Sequence, residues 1–163
     1  MIGSGFRTAR NMGLGIAALV GMVLAGPSVS ATDAATVTQQ TEGAIFERQF
    51  IMEQLDKDGE VLGNIVAGIE PPAKLAATTR AIAKGARDSV ESFRATLPGG
   101  RSKPEVWTQH DDFIQRMESF ASKADAMAKA GETGDMAAVT GLMVDAMPCK
   151  QCHDLYRAPK KPG

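Results

Sequence analysis

The chain's only two cysteines stand three residues apart and are followed at once by a histidine, in the run Cys149-Lys150-Gln151-Cys152-His153. On a helix these three chemical groups fall at i, i+3 and i+4 and leave from one face. Cys-x-x-Cys-His is the attachment sequence of a c-type haem. Each thiol adds across a vinyl group to give a thioether, and the adjacent histidine reaches the iron as an axial ligand. Two other uses of the cysteines compete with this one. A redox dithiol of the thioredoxin kind wants a βαβ setting, and no strand pattern precedes Cys149. A zinc site needs a fourth ligand, but His110 is the only other histidine and no second Cys/His cluster exists. The motif therefore predicts one covalent haem c.

The N-terminus points to export. Arg7 and Arg10 precede an apolar stretch from Met12 to Ala25, 14 residues long, and no acidic residue occurs before Asp33. Such a stretch is short for a membrane span. Pro27 ends it, and Val29-Ser30-Ala31 places small residues where a signal peptidase reads them. Residues 1–31 are expected to be a cleaved secretory signal using the general secretion route, since no Arg-Arg pair is present. Cleavage leaves 132 of the 163 residues, 32–163, as a single periplasmic domain with no membrane attachment. Losing Arg7 and Arg10 leaves 16 basic residues of 18 against 19 acidic ones, near −3. That balance, without a basic tail, gives no sign of nucleic-acid or lipid binding. Aromatic residues make up 5% of the chain, so a buried porphyrin would supply much of the apolar interior and the apoprotein should fold poorly.

Apolar residues recur at helical, not strand, spacing throughout the mature chain. Residues 32–41, rich in Thr, Ala and Gln, read as a loose lead-in. The first stripe runs Ile45, Arg48, Met52, Leu55, Gly59, Leu62, Val66, Ile69 and stops at Pro71-Pro72. The second runs Leu75, Thr79, Ile82, Ala86, Val90, Phe93, Leu97 and ends at Pro98-Gly99-Gly100. The third opens at Pro104, a good first-turn residue, and reads Val106, His110, Phe113, Met117, Phe120, Ala124, Met127 up to Gly131. The fourth begins near Asp135 with Met136, Val139, Met143 and Ala146, then takes in the Cys/His motif and Tyr156. Four seams joined by short Pro/Gly connections predict an all-α, antiparallel, up-down-up-down four-helix bundle with the haem near one end. Pro148 should bend the fourth helix modestly at the motif. Asp56-Lys57-Asp58-Gly59 lacks the later ligands of a calcium loop and lies inside a continuing stripe.

The first stripe carries three oddities. Arg48 occupies a core position, where an unpaired guanidinium is costly; a haem propionate would satisfy it. Met52 lies one turn on, and is either packing or a ligand to iron. Gly59 is unfavourable mid-helix and marks either a break at 56–60 or the close approach of something flat and bulky.

Three ordered motifs make the mature chain resemble a class II cytochrome c, the cytochrome c-prime family with its low-spin, methionine-ligated relatives. They are Arg48-Gln49-x-x-Met52, Ser102-Lys103-Pro104-Glu105-Val106-Trp107, and Cys149-Lys150-Gln151-Cys152-His153-Asp154-Leu155-Tyr156-Arg157. The resemblance implies haem c held near one end of a four-helix bundle with His153 as proximal ligand and Arg157 lining the proximal side. It implies that Arg48 pairs with a propionate and that Met52 faces the distal side of the iron. It also implies a homodimer through the first two helices. The short connection over 98–103 departs from the common pattern.

Two functions follow from what Met52 does. If its sulfur binds iron, both axial sites are filled and the protein transfers electrons to periplasmic redox partners; a methionine at this position favours that reading. If Met52 only shields an open site, the protein is a high-spin, five-coordinate cytochrome c-prime that binds or sequesters NO or CO. His110 as distal ligand is a weaker alternative, since a histidine near a helix start more often caps or meets solvent. No nucleophile–base pair or paired carboxylates point to catalysis, and an enzyme is not expected.

Overall fold

The computed structural model describes residues 31–160. Six helices follow one another: α1 Ala31–Val66, α2 Leu75–Arg94, the single turn α3 Glu105–Thr108, α4 His110–Glu132, α5 Met136–Ala146 and α6 Cys149–Tyr156. A one-turn 3-10 helix, Pro72–Lys74, leads into α2. Helix α1, α2, α4 and the α5–α6 pair form the four legs of the bundle, as the stripes predict. The tightest seams join α2 to α4, α1 to α2 and α4 to α5, whereas α1 has no comparable seam with α5 or α6. Among the described residues the only bridge of β type is an isolated one between Ser102 and Arg157.

Glycine places the stops. The N–H groups of Gly68 and Ile69 donate to the carbonyls of Ile65 (3.0 Å) and Asn64 (2.8 Å), with Gly68 at φ +73°. This pair of bonds satisfies the last carbonyls of α1 and needs a left-handed residue. Gly134, also at φ +73°, closes α4 in the same way, its N–H and that of Asp135 donating to Gly131 and Ala130 at 3.1 Å each. Gly131 therefore does not end α4. It sits inside the helix against Thr79 of α2, where an added Cβ would run into the threonine hydroxyl and methyl. Asp135 caps α5, its side chain accepting from the Ala138 N–H at 2.9 Å.

The core is built from the predicted seams. Leu62, Ile82, Val106, Met127 and Val139 are fully buried. Thr79 and Ser89, buried among them, satisfy their hydroxyls within α2 by donating to Leu75 O (3.0 Å) and Ala86 O (2.8 Å).

Two expectations need correction. Residues 32–41 are not a loose lead-in but the first turns of α1. Ala is the strongest helix former and no Pro or Gly interrupts the run, while Thr38 and Thr41 return their hydroxyls to Ala34 O and Val37 O at 2.9 Å. Pro148 does more than bend the fourth leg. Met147 (φ −117°, ψ 62°) and Pro148 (φ −77°, ψ 40°) leave helical geometry, so α5 ends and α6 restarts at Cys149. Of the two readings open at Gly59, the break is excluded, because α1 runs through it unbroken. The expected signal peptide, residues 1–31, lies outside the described residues except for Ala31.

Candidate haem site

The break at Met147-Pro148 decides where the Cys/His motif points. Because α6 begins at Cys149, the side chains of Cys149, Cys152 and His153 occupy successive turns of one short helix rather than the end of a long one. Cys149 is exposed, while Cys152 and His153 are half-buried and Cys152 packs against the core. Loss of water pushes both thiols above their ordinary range, with the carboxylate of Asp56 adding to the effect at Cys149 and Cys149 itself at Cys152. At neutral pH both therefore carry the S–H that thioether formation consumes. The His153 imidazole is shifted the other way: burial, then the positive charges of Arg157 and Arg101, lower its pKa. A neutral ring keeps a lone pair available for iron.

Helix α1 faces this motif. Asp56 is near enough to act electrostatically on Cys149 and His153. A Cβ on Gly59 would lie 2.8 Å from the Met147 methyl. The glycine thus allows the Met147 side chain of the α5–α6 elbow to come against α1. Met52, one turn before Asp56, is half-buried and packs on the core. The donor set fits a c-type haem: two protonated thiols and one neutral imidazole on a single helical face, with Asp56 and Gly59 of α1 beside them.

Arg48 is 5% exposed, as its stripe position predicts, and its guanidinium ends on backbone carbonyls at and just beyond the end of α2. Nε donates to Ser92 O at 2.8 Å, Nη1 to Leu97 O at 2.7 Å and Nη2 to Ala95 O at 3.2 Å. The same group lies over the Phe93 ring (4.5 Å to the centroid) and the Trp107 ring (5.0 Å). These contacts explain its burial without a carboxylate. The His110 ring is engaged by its neighbours: its Nε2 meets Phe93 O at 2.8 Å, and its ring stacks on Trp107. Arg157 is exposed just beyond α6.

Two features escape sequence reasoning. One is the set of bonds tying the 101–103 segment to the residues after His153. Lys103 N–H donates to Tyr156 O (2.9 Å), Ala158 N–H to Arg101 O (2.8 Å) and Lys103 Nζ to Asp154 O (2.8 Å). Backbone pairing of this kind leaves no residue pattern. The other is Tyr156, which stripe analysis placed in the core. Its ring packs edge-on to Phe113 at 5.0 Å and its hydroxyl donates to Asp112 at 2.9 Å, anchoring α6 to the start of α4.

A sequence profile described as Cytochrome C' matches residues 43–157. A cytochrome c' from Alcaligenes xylosoxydans xylosoxydans is 32% identical over 70 residues, 42% of this chain and 55% of that protein. The chain thus spans about half the length of that relative. Among solved structures, cytochrome c prime from Alcaligenes xylosoxidans, as a ferrous variant with bound NO, superposes with a TM-score of 0.67 at 24% identity. That match covers 74% of this chain and 97% of the other. A second structure, named cytochrome c', gives 0.65 at 25% identity over 72% and 96%. The profile spans both the Arg48–Met52 motif and the Cys/His motif on a four-helix bundle of the same shape, and so the chain belongs to the cytochrome c' family, with one covalent haem c as its cofactor.

Proposed function

We propose that this protein is a high-spin, five-coordinate cytochrome c' that binds NO or CO on the side of the iron away from His153. One observation carries the reading: the profile that matches is that of cytochrome c', a family whose iron is typically high-spin. An Alcaligenes relative of the same fold has been solved with NO bound. This reverses the order favoured by the sequence, in which a Met52-ligated electron carrier came first. When bound, the haem would supply an iron able to take a diatomic ligand.

The residues then divide the work. Cys149 and Cys152 fix the porphyrin edge to α6, and His153 binds the iron as a neutral imidazole. Met52, half-buried on α1, would be the apolar side chain that shields the bound group, admitting a diatomic and excluding bulkier or more polar ligands. Arg48 keeps two N–H donors beyond the three that its carbonyls take, enough for a propionate oxygen. Arg157 lines the proximal side. Turnover is no part of this reading, and export by residues 1–31 into the periplasm is.

The visible spectrum of the reduced protein tests it. A single broad band is expected in the wild type, and Met52→Ala should keep that band while speeding CO association by on the order of tenfold, as a steric barrier of about 1.4 kcal/mol is removed. Met52 is nonetheless a thioether at the distal position, and this favours the second reading, electron transfer through a six-coordinate iron. Sharp α and β bands in the wild type that collapse in Met52→Ala would establish that reading and end the first.

The protein is further proposed to be a homodimer through α1 and α2. Phe46 and Phe50 lie one turn apart on α1 and are 72% and 55% exposed. Exposed phenylalanines at i and i+4 make an apolar strip that a second copy can cover. Phe46→Glu with Phe50→Glu should raise the dimer dissociation constant at least about a hundredfold, since burying each ring is worth roughly 1.5–3 kcal/mol. Sedimentation that gives the same mass for wild type and variant would remove this face from the interface.

A further inference from the structure

The exposed arginines divide by what they meet. Among the described residues, Arg80, Arg87, Arg94 and Arg116 each reach a carboxylate: Glu132, Asp125, Glu91 with Glu118, and Asp112. Arg101 and Arg157 form no such ion pair. Both line one cleft of about 310 Å³, together with Lys103, His153 and Asp154. Arg101 Nε donates to the Ala158 carbonyl at 2.9 Å, and Lys103 Nζ to the Asp154 carbonyl at 2.8 Å, so neither forms an ion pair, although Lys103 is near enough to Asp154 to lower that carboxyl's pKa. The one carboxylate of the cleft, Asp154, is already held by Lys150 at 2.5 Å. Three cations thus gather beside the iron-binding histidine of a chain whose total charge is negative.

The cluster is also held in place. The short 98–103 connection is stitched to the chain after His153 by the Ser102–Arg157 bridge and by backbone bonds at both Arg101 and Lys103. Fixed backbones keep the cations on the proximal side at little further entropic cost when a partner arrives. Uncompensated positive charge concentrated around a redox centre steers anionic partners to it and fixes their orientation.

We propose that this cleft docks the carboxylate-rich face of a redox partner protein, which exchanges one electron with the haem from the His153 side. The inference rests on haem attachment at Cys149, Cys152 and His153, and holds whether the sixth site is open or filled by Met52. Its step is a single electron passing between the partner's redox centre and the haem; no bond forms or breaks and no proton moves.

Stopped-flow oxidation of the ferrous holoprotein by two small oxidants tests it. Hexacyanoferrate(III), an anion, and tris(phenanthroline)cobalt(III), a cation, each accept one electron and leave ferric haem. The anion's rate should fall as ionic strength rises and should drop roughly tenfold in Arg101→Glu, while the cation's rate rises. Lys129→Glu removes the same charge near the far end of α4 from Tyr156, and should leave both rates close to wild type. Polyglutamate, standing in for the partner's face, should slow hexacyanoferrate(III), and inorganic phosphate at equal charge should not. A wild-type rate with hexacyanoferrate(III) that does not fall with salt overturns the proposal, and this arm needs no variant. So do equal effects of Arg101→Glu and Lys129→Glu. Equal competition by phosphate would make the cleft a small-anion site and overturn docking of a protein. A colourless product, by contrast, would strike at haem attachment itself.

Discussion

Replacing Cys149 and Cys152 together by alanine should turn a haem that survives acid acetone into one that is extracted completely. The reasoning begins with bonding. Two thioethers tie the porphyrin to α6, while the remaining link, His153 to iron, is lost when acid protonates the imidazole. The pKa of that imidazole is already lowered by burial and by Arg157 and Arg101, so it loses its iron only at pH values well below neutral. The double variant should therefore hold haem at neutral pH and release it in acid, whereas the wild type should keep it in both. Alanine at Cys149 alone should leave a single thioether through Cys152, which packs against the core. Stability should follow the haem. A group that binds the folded chain and not the unfolded one adds to stability by mass action, and this chain has few aromatic side chains to replace a porphyrin in its interior. The extracted double variant should lose far-UV helical signal and melt without a sharp transition. Haem in the double variant that resists extraction as well as in the wild type would place the thioethers elsewhere, and the assignment of α6 would fall.

Periodicity carries most of the fold because a bundle asks little beyond apolar seams and places to turn. Leu75 opens α2 and Asp135 caps α5 where the residues suggest, whereas the third stripe, read as one helix from Pro104, is interrupted at Gln109 (φ −122°, ψ 40°) and divides into α3 and α4. Two kinds of feature stay illegible. Helix ends set by a left-handed glycine look in sequence like any glycine: Gly68 and Gly134 close helices, while Gly131 and Gly59 sit inside them against Thr79 and Met147. Contacts between segments distant in the chain leave no periodic trace, which is why the cations of the 101–103 connection cannot be placed beside His153 beforehand. The Cys/His motif behaves differently. Its meaning is local, since one turn of helix brings all three groups to one face, so the chemistry of the site is readable where its surroundings are not. Arg48 lies between these cases. Its presence in an apolar stripe announces a buried partner, yet three backbone carbonyls accept from it where a propionate alone had been expected.

That arrangement makes Arg48→Ala the substitution with the largest expected loss of stability outside the haem linkage. It deletes three charge-assisted hydrogen bonds to Ser92, Ala95 and Leu97 and leaves those carbonyls at the end of α2 without their donor. It also empties the space over Phe93 and Trp107 that the guanidinium fills. Bonds from a charged donor contribute about 1.5–3 kcal/mol each, though water can recover part of this at a helix end; a net loss of about 3 kcal/mol is expected. For a domain of this size that corresponds to a fall in melting temperature of roughly 10 °C. Arg48→Lys separates the roles. A lysine keeps the charge but cannot fork to three carbonyls or lie flat on two rings, so it should still lose about 2 kcal/mol. If the guanidinium served a propionate alone, lysine would largely restore the wild type, because an ammonium suffices for a single carboxylate. Thermal melts of the three proteins, each with its full complement of haem, decide between them. Equal melting of Arg48→Lys and wild type would transfer Arg48 from the end of α2 to the haem.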